Sequence, residues 1–469
     1  MVRSRVRALV AMLVVGVLCS VVLVAPAGGA SRAQQGGIEG NEIVIAAVVA
    51  DLDSLRSRGL IQQPKLTVGN LVKNWQIFLD EFGPINGRKV RLETVVWDPL
   101  DATSYDRACT QITQDIKPFV AVNSAGYRQS SVPCITVDGE TPFFVGDPMY
   151  TELLEASENR LFSMAPPADV AGKTTADVVA KHGLVPKSAK IGILSANEVG
   201  IKVAGDALEK QLKKHGYNVA QKVEVNQLSA DAALINRESA AAVATFKAAG
   251  VDTVFIGIPF TGSQGYFQEA QRSNAGFKNF IIDDAASMCS IFAASRIPLE
   301  AAGTPCVTAF DTRALPTKDG VKRDSEFEAK CRATFDKGFG LSSQPGVPSG
   351  DVTAGGKLYV EDMRPDYCTI MSLLLPAMKK AGKNLTWAKV AKNLEAVKSA
   401  PAAYLSNGEG GFAKNKHYFA KNVHVVTLNP ANAQTPVDAN GLFNGCPAPV
   451  NCWVPQLVDG KEWFPISGA

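Results

Sequence analysis

With 469 residues, a mean hydropathy of +0.03 and 20% charged side chains, the chain can bury two domains of ordinary size and is neither fibrous nor too polar to fold. Its formal charge of +3 is matched by Arg3, Arg5 and Arg7, which lie in a leader without acids, so the remainder is balanced. That balance implies no basic face for nucleic acid or an anionic membrane.

Those arginines precede an apolar run from Ala8 to Ala25 and the small-residue stretch PAGGASRA, the layout of a signal peptide over residues 1–30, with cleavage after Ala30 or Ala33. The run is also about long enough to span a bilayer, so retention as an anchor is the competing reading; Pro26 and the small residues after it favour cleavage. Leu18 before Cys19 argues against lipid attachment, which takes a small residue there. Removal of Cys19 leaves an even set of cysteines in an oxidising compartment, which reads as disulfides. Local separation favours Cys109 with Cys134, Cys289 with Cys306, Cys331 with Cys368, and Cys446 with Cys452. No CxxC occurs, and His182, His215, His417 and His424 are scattered without ligand spacing, so neither a metal nor a cofactor is expected.

In the mature chain NEIVIAAVVADLD predicts a strand ending in an acidic loop, Asp51 and Asp53. LTVGNLVKNWQIFLDEFG predicts a helix with Leu71, Trp75, Phe78 and Leu79 on one face, stopped by Gly83 and Pro84. INGRKVRLETVVWD reads as turn and strand, Tyr105 to Asp115 as a helix, and PFVAVN and TPFFVGD as further strands. The join to a second unit falls near Asn159 to Pro167. There, Lys190 to Asp284 alternates more regularly still: KIGIL, a helix closed by Gly216, YNVAQKVEV, a helix closed by Gly250, VDTVFIGI, SQGYFQEAQRS and NFIID. Strands separated by helices require parallel sheets, and two such sets predict two lobes. Ligands in such sheets sit beyond the strand carboxyl ends, here the loops Ala196–Gly200, Pro259–Gly262 and Asp283–Ser287. Further on, CVTAFDTRALP predicts a strand, SEFEAKCRATFDKGFG a helix, and Tyr359 to Gly382 a helix with Met363, Tyr367, Ile370, Leu374 and Met378 facing a core. TWAKVAKNLEAV adds a helix, and the region after Tyr404, with NVHVVTLNP, reads as hairpins.

FLDEFGPINGRKVRLETVVWD resembles the first helix, turn and second strand of type I periplasmic binding proteins, the family of leucine/isoleucine/valine-binding proteins. KTTADVVAKHGLVPKSAKIGILSANEVGIKVAGDALEKQLKKHGYNV is similar to the opening of that family's second lobe. The resemblance implies an α/β fold of two lobes, each a mostly parallel sheet flanked by helices, with three interlobe crossovers: residues 42–165 and 286–404 as lobe 1, and 166–285 and 405–469 as lobe 2. It also implies a monomer outside the cytoplasm that clasps a small molecule and delivers it to an ABC permease in the membrane, without chemistry or cofactor. Family members often carry a first-lobe disulfide separated much as Cys109 and Cys134 are.

Carried over residue by residue, the resemblance places Ser124, Ala125, Gly126 and Tyr127 where a ligand carboxylate meets a hydroxyl and backbone amides. Asp147 and Pro148 stand in the next loop, Asn197 and Glu198 in the first loop of the second lobe, and Phe260 in a later one. The acid that meets a ligand ammonium is Asp283 or Asp284. Asp147 repels a carboxylate, and Val199 stands where an aromatic is common, which points away from an aliphatic amino acid toward a small polar or cationic ligand. Each position also has a plain structural reading: Ser124 and Asp284 as helix caps, Asp147 before Pro148 as a turn, Tyr127 as a packed ring. Competing functions are a sensing subunit docked to a membrane signalling partner and a secreted hydrolase; no GxSxG, HExxH, P-loop or GxGxxG supports the latter.

Overall fold

The computed structural model describes residues 36–58, 67–226, 232–283, 289, 301–311, 325–340, 365–429, 442–443, 446–447 and 452–468. The signal segment and Asp284 lie outside them, as does the start of the helix expected from Tyr359. None of the helices among the described residues is long and apolar enough to cross a membrane.

The first sheet is built around β2 (Glu42–Ala50), whose run IVIAAVV is buried on both faces, as a central parallel strand requires. The short β1 (Ile38–Glu39) folds back on it antiparallel. β3 (Lys89–Trp97) lies on one side, and β4 (Val120–Asn123), β5 (Phe143–Val145) and β6 (Leu161–Ser163) follow on the other, all parallel. α1 (Leu52–Ser57) and α2 (Val68–Phe82) fill the connection from β2 to β3. Thr67 caps α2 by accepting from the Asn70 amide at 3.1 Å, and Gly83 ends it at φ 76°, a left-handed turn that glycine adopts without strain. Its apolar stripe, Leu71, Trp75, Phe78 and Leu79, is buried as its spacing predicts. The single helix expected from Tyr105 to Asp115 is instead α3 (Ala102–Thr110) followed by a π-helical turn, Gln111–Ile116. A disulfide joins Cys109 at this junction to Cys134, at the start of another π-turn, and closes a loop with a sequence separation of 25. In the loop-entropy account that closure contributes roughly 3–4 kcal/mol. Cys109→Ser with Cys134→Ser should lower the denaturant midpoint by a corresponding amount, with the far-ultraviolet spectrum unchanged; urea titration checks it.

α4 (Thr151–Ala156) connects β5 to β6, and the chain then crosses through α5 (Ala168–His182) to the second sheet, of β7 (Lys190–Ala196), β8 (Asn218–Val225), β9 (Thr253–Gly257) and β10 (Lys278–Ile282) in the order β8-β7-β9-β10. These four expected strands are parallel, and α6 (Val199–Lys214), α7 (Ala232–Ala248) and α8 (Phe260–Arg272) connect them. The next strand, β11 (Pro305–Thr308), continues this sheet parallel to β10, although the expected boundaries put residues 286–404 in the first lobe. Its apolar run announces a strand, but the partner sheet is a long-range matter that local pattern does not encode.

After β11 the chain returns to the first lobe. The helices Glu326–Phe339 and Pro365–Lys380 pack on α2, and a Cys331–Cys368 disulfide links them. Ser325 and Glu328 form a reciprocal capping box at the start of the former. The third expected disulfide, Cys289–Cys306, ties β11 to the segment after β10. The side chains of Cys446 and Cys452 fall outside the described residues. A last return brings Asn422–Asn429 antiparallel onto β11, with Cys452–Pro455 and Trp463–Pro465 antiparallel on it in turn, in keeping with the expected hairpins.

The crossing segments are hydrogen-bonded to one another. Ser163 N donates to His417 O at 2.9 Å, Phe419 N to Ser163 O at 2.9 Å, Asp311 N to Tyr404 O at 2.7 Å and Ser406 N to Ala309 O at 2.8 Å. The Lys416 ammonium braces the third crossing by donating to the carbonyls of Gly411 at 3.0 Å, Tyr418 at 3.0 Å and Ala420 at 3.2 Å. Burial, with the charge of Lys421 beside it, pulls its pKa down to about 8.

Candidate functional site

Strand order reverses between β2 and β4 in the first sheet and between β7 and β9 in the second, so the loops after these strands form the crevices where an open sheet receives a ligand. Asp51, after β2, is occupied locally: it caps α1 by accepting from Ser54 N at 2.9 Å. Asp53 pairs with Arg56 at 2.8 Å.

After β4, Ser124 is nearly buried, and its hydroxyl meets the Tyr367 phenol at 3.1 Å, on the helix Pro365–Lys380. Tyr367 in turn packs on Trp75, with ring centroids 4.4 Å apart. No regular α-helix starts at Ser124, so the hydroxyl bonds another side chain rather than a helix end. Ala125 is half-buried and Gly126 exposed, at φ 83° against the Trp97 ring. Tyr127 turns away from solvent into an aromatic cluster with Trp97, Tyr105 and Phe143, at centroid separations of 5.6, 5.4 and 5.7 Å. The ring carries no sequence signal for this choice, since an exposed loop and a core edge read alike.

The Gly126 amide donates to the Asp147 carboxylate, which lies buried after β5. A carboxylate of the chain itself thus holds an amide that the resemblance assigns to a ligand. Pro148 beside it accepts from the Gln129 side chain at 2.6 Å. With Asp283, Thr308 and Phe310 from the second lobe, Pro148 lines a narrow cavity at the base of the cleft.

Asp283, and not Asp284, is the acid the structure describes. It follows β10, nearly buried, accepting from the Thr308 hydroxyl and from Cys289 N at 3.5 Å. Burial raises its pKa from 3.8 to about 6; the Thr308 and Cys289 hydrogen bonds oppose the rise, and the negative charge of Asp147 adds to it. Two carboxylates from opposite lobes therefore sense each other at the base of the cleft.

At the rim, Asn197 is exposed, whereas Glu198 is nearly buried and caps α6, accepting from Gly200 N at 2.7 Å. Its other oxygen accepts from Ser130 N of the first lobe at 3.2 Å. Phe260 begins α8, but its side chain lies outside the described residues. Arg128, whose guanidinium lies 4.6 Å from the centre of the Tyr105 ring, and Thr308 carry no local sign of a place at the cleft, and Tyr367 carries only that of a core residue. Only long-range packing brings these to the cleft. Among the described residues, no group of three or more His, Cys, Asp or Glu stands close enough to hold a metal ion.

No family model matches the sequence, and no curated protein sequence matches it. Solved structures do match. A periplasmic binding protein from Burkholderia mallei superposes with a TM-score of 0.61 at 11% identity, over 85% of this chain and 92% of that one. A solute-binding protein of an ABC transporter from Rhodopseudomonas palustris BisB5, solved with 3,4-dihydroxybenzoic acid, gives 0.59 at 13% identity over 91% and 98%. The leucine-, isoleucine-, valine-, threonine- and alanine-binding protein from Brucella ovis, in a closed conformation, gives 0.58 at 16% identity over 91% and 96%. The chain has the two-lobed fold of the type I periplasmic binding proteins.

Proposed function

We propose that this chain is an extracytoplasmic solute-binding protein that closes its lobes on a small polar ligand and delivers it to an ABC importer in the membrane. The observation that carries this reading is the facing pair of crevices at the strand-order reversals, on lobes joined by three hydrogen-bonded crossings. Solved proteins of this fold hold hydroxybenzoates or aliphatic amino acids, which fits a role in binding rather than turnover. Ser124 meets a phenol, not a base that could activate it as a nucleophile.

The chemistry of the cleft narrows the ligand. Asp147 already takes the Gly126 amide, and Asp283 faces it from the second lobe, so a ligand carboxylate at the base would meet two acids. The ligand class that fits is an amine, amidine or amide without a free carboxylate near its polar head. Calorimetry and thermal shift against amines, diamines, guanidines, amides, amino acids and hydroxybenzoates test this. A binder at a hundred times its Kd stabilises the protein by about 2.7 kcal/mol. Binding by cationic or neutral compounds is expected. Silence across the panel sinks the receptor reading, and binding by benzoates alone sinks the ligand class.

A further inference from the structure

At the rim the two lobes meet directly through Glu198 and Gly200 of one and Gln129 and Ser130 of the other. Glu198 divides its carboxylate between two tasks: Oε2 satisfies the first turn of α6, from Gly200 N at 2.7 Å and Ile201 N at 3.4 Å, while Oε1 takes Ser130 N from the first lobe at 3.2 Å. Ser130 belongs to the short 3-10 turn Gln129–Ser131, whose leading amides have no partner within the turn itself. Beside this bond Gln129, 2% exposed, lies directly against Gly200, where a Cβ would overlap its amide group. Gln129 has no ready retreat, because its Nε2 is held by Pro148 O at 2.6 Å. Arg128, from the same turn, lends a favourable positive charge to the buried Glu198.

From these contacts we infer that Glu198 and Gly200, at the start of α6, form a latch on the Arg128–Ser130 turn that holds the two lobes together at the rim. Glu198 is then a closure residue rather than a ligand contact, and Gly200 is glycine because the Gln129 amide of the other lobe occupies the space a side chain would need. A receptor whose empty form samples the closed state pays less of the closing cost at binding, so apparent affinity rises with the closed fraction. The inference does not depend on what the ligand is.

The test uses the full mature protein without added ligand, by small-angle scattering and by hydrogen exchange at the Ser130 amide. Gly200→Leu places a side chain into Gln129 only when the lobes meet, and in the first turn of α6 leucine costs the helix no more than glycine, so the melting midpoint should hold. The expected result is a larger radius of gyration and lost protection at Ser130, both reversed when Gln129→Ala is added to remove the obstruction. Glu198→Gln should also lose protection at Ser130 but with less opening, since its one oxygen serves the helix cap, its Nε2 cannot accept from Ser130 N, and no side chain is forced against Gln129. Scattering curves for wild type and Gly200→Leu that superimpose, or an opening that Gln129→Ala fails to reverse, would overturn the inference.

Discussion

Asp283→Asn should stabilise the protein at pH 8 and leave its stability unchanged at pH 4. Burial lifts the Asp283 pKa from 3.8 to about 6. Between those values the folded chain holds a proton that the unfolded chain has released, so stability falls as pH rises through this window. Above it the whole cost is present, on the order of 3 kcal/mol for about two pH units at 1.36 kcal/mol each. Asparagine removes the charge and keeps an acceptor for the Thr308 hydroxyl, so up to roughly that amount should return at pH 8 and none at pH 4. Urea titrations of both proteins at the two pH values measure it. An equal shift at both would mean that Asp283 is not the group that titrates. The same linkage reaches the proposed ligand: a cation prefers the ionised carboxyl, so its affinity should climb as pH rises through 6 and its binding should release a proton.

Phe162→Ala should cost about 3–5 kcal/mol, the usual range for emptying a buried phenylalanine site. Phe162, on β6, is fully buried, with ring centroids 5.2 Å from Phe412, 6.0 Å from Phe144, 6.1 Å from Trp387 and 4.7 Å from His417. Those partners come from the first sheet, from the helix Trp387–Glu395 and from the third crossing, so no single element can move in to fill the void. Phe162→Leu, which keeps much of the volume, should cost closer to 1 kcal/mol. Calorimetric melts of the two variants separate the values, and equal losses would show that the ring contacts, rather than apolar volume, carry the cost.

The elements that sequence reveals here are those whose signal is local. The doubly buried run of β2, the stripe of α2 and the strand-helix alternation from Lys190 to Ile282 repeat at the periods their structures impose. Three of the pairings favoured by local separation, at Cys109, Cys289 and Cys331, are present as disulfides. What depends on a distant partner is not legible. β11 looks the same whether it joins the first sheet or the second. Glu198, which the resemblance offers as a ligand group, caps its helix while bonding the other lobe. Tyr127 and Arg128 are neighbours in one loop, yet the first enters the core while the second stays half-buried over Tyr105. Asp283 is buried, and nothing local in the sequence marks it for that.

The hydrogen bonds that stitch the crossings into one ribbon have a mechanical consequence. Strips fastened edge to edge bend readily about the line across them and resist both sliding and twisting, as a door on a long leaf hinge swings but does not shift in its frame. Under the proposed function the lobes then close about one bending axis, and the span from Glu198 to Ser130 reports that closure. One spectroscopic ruler laid across that span would follow it.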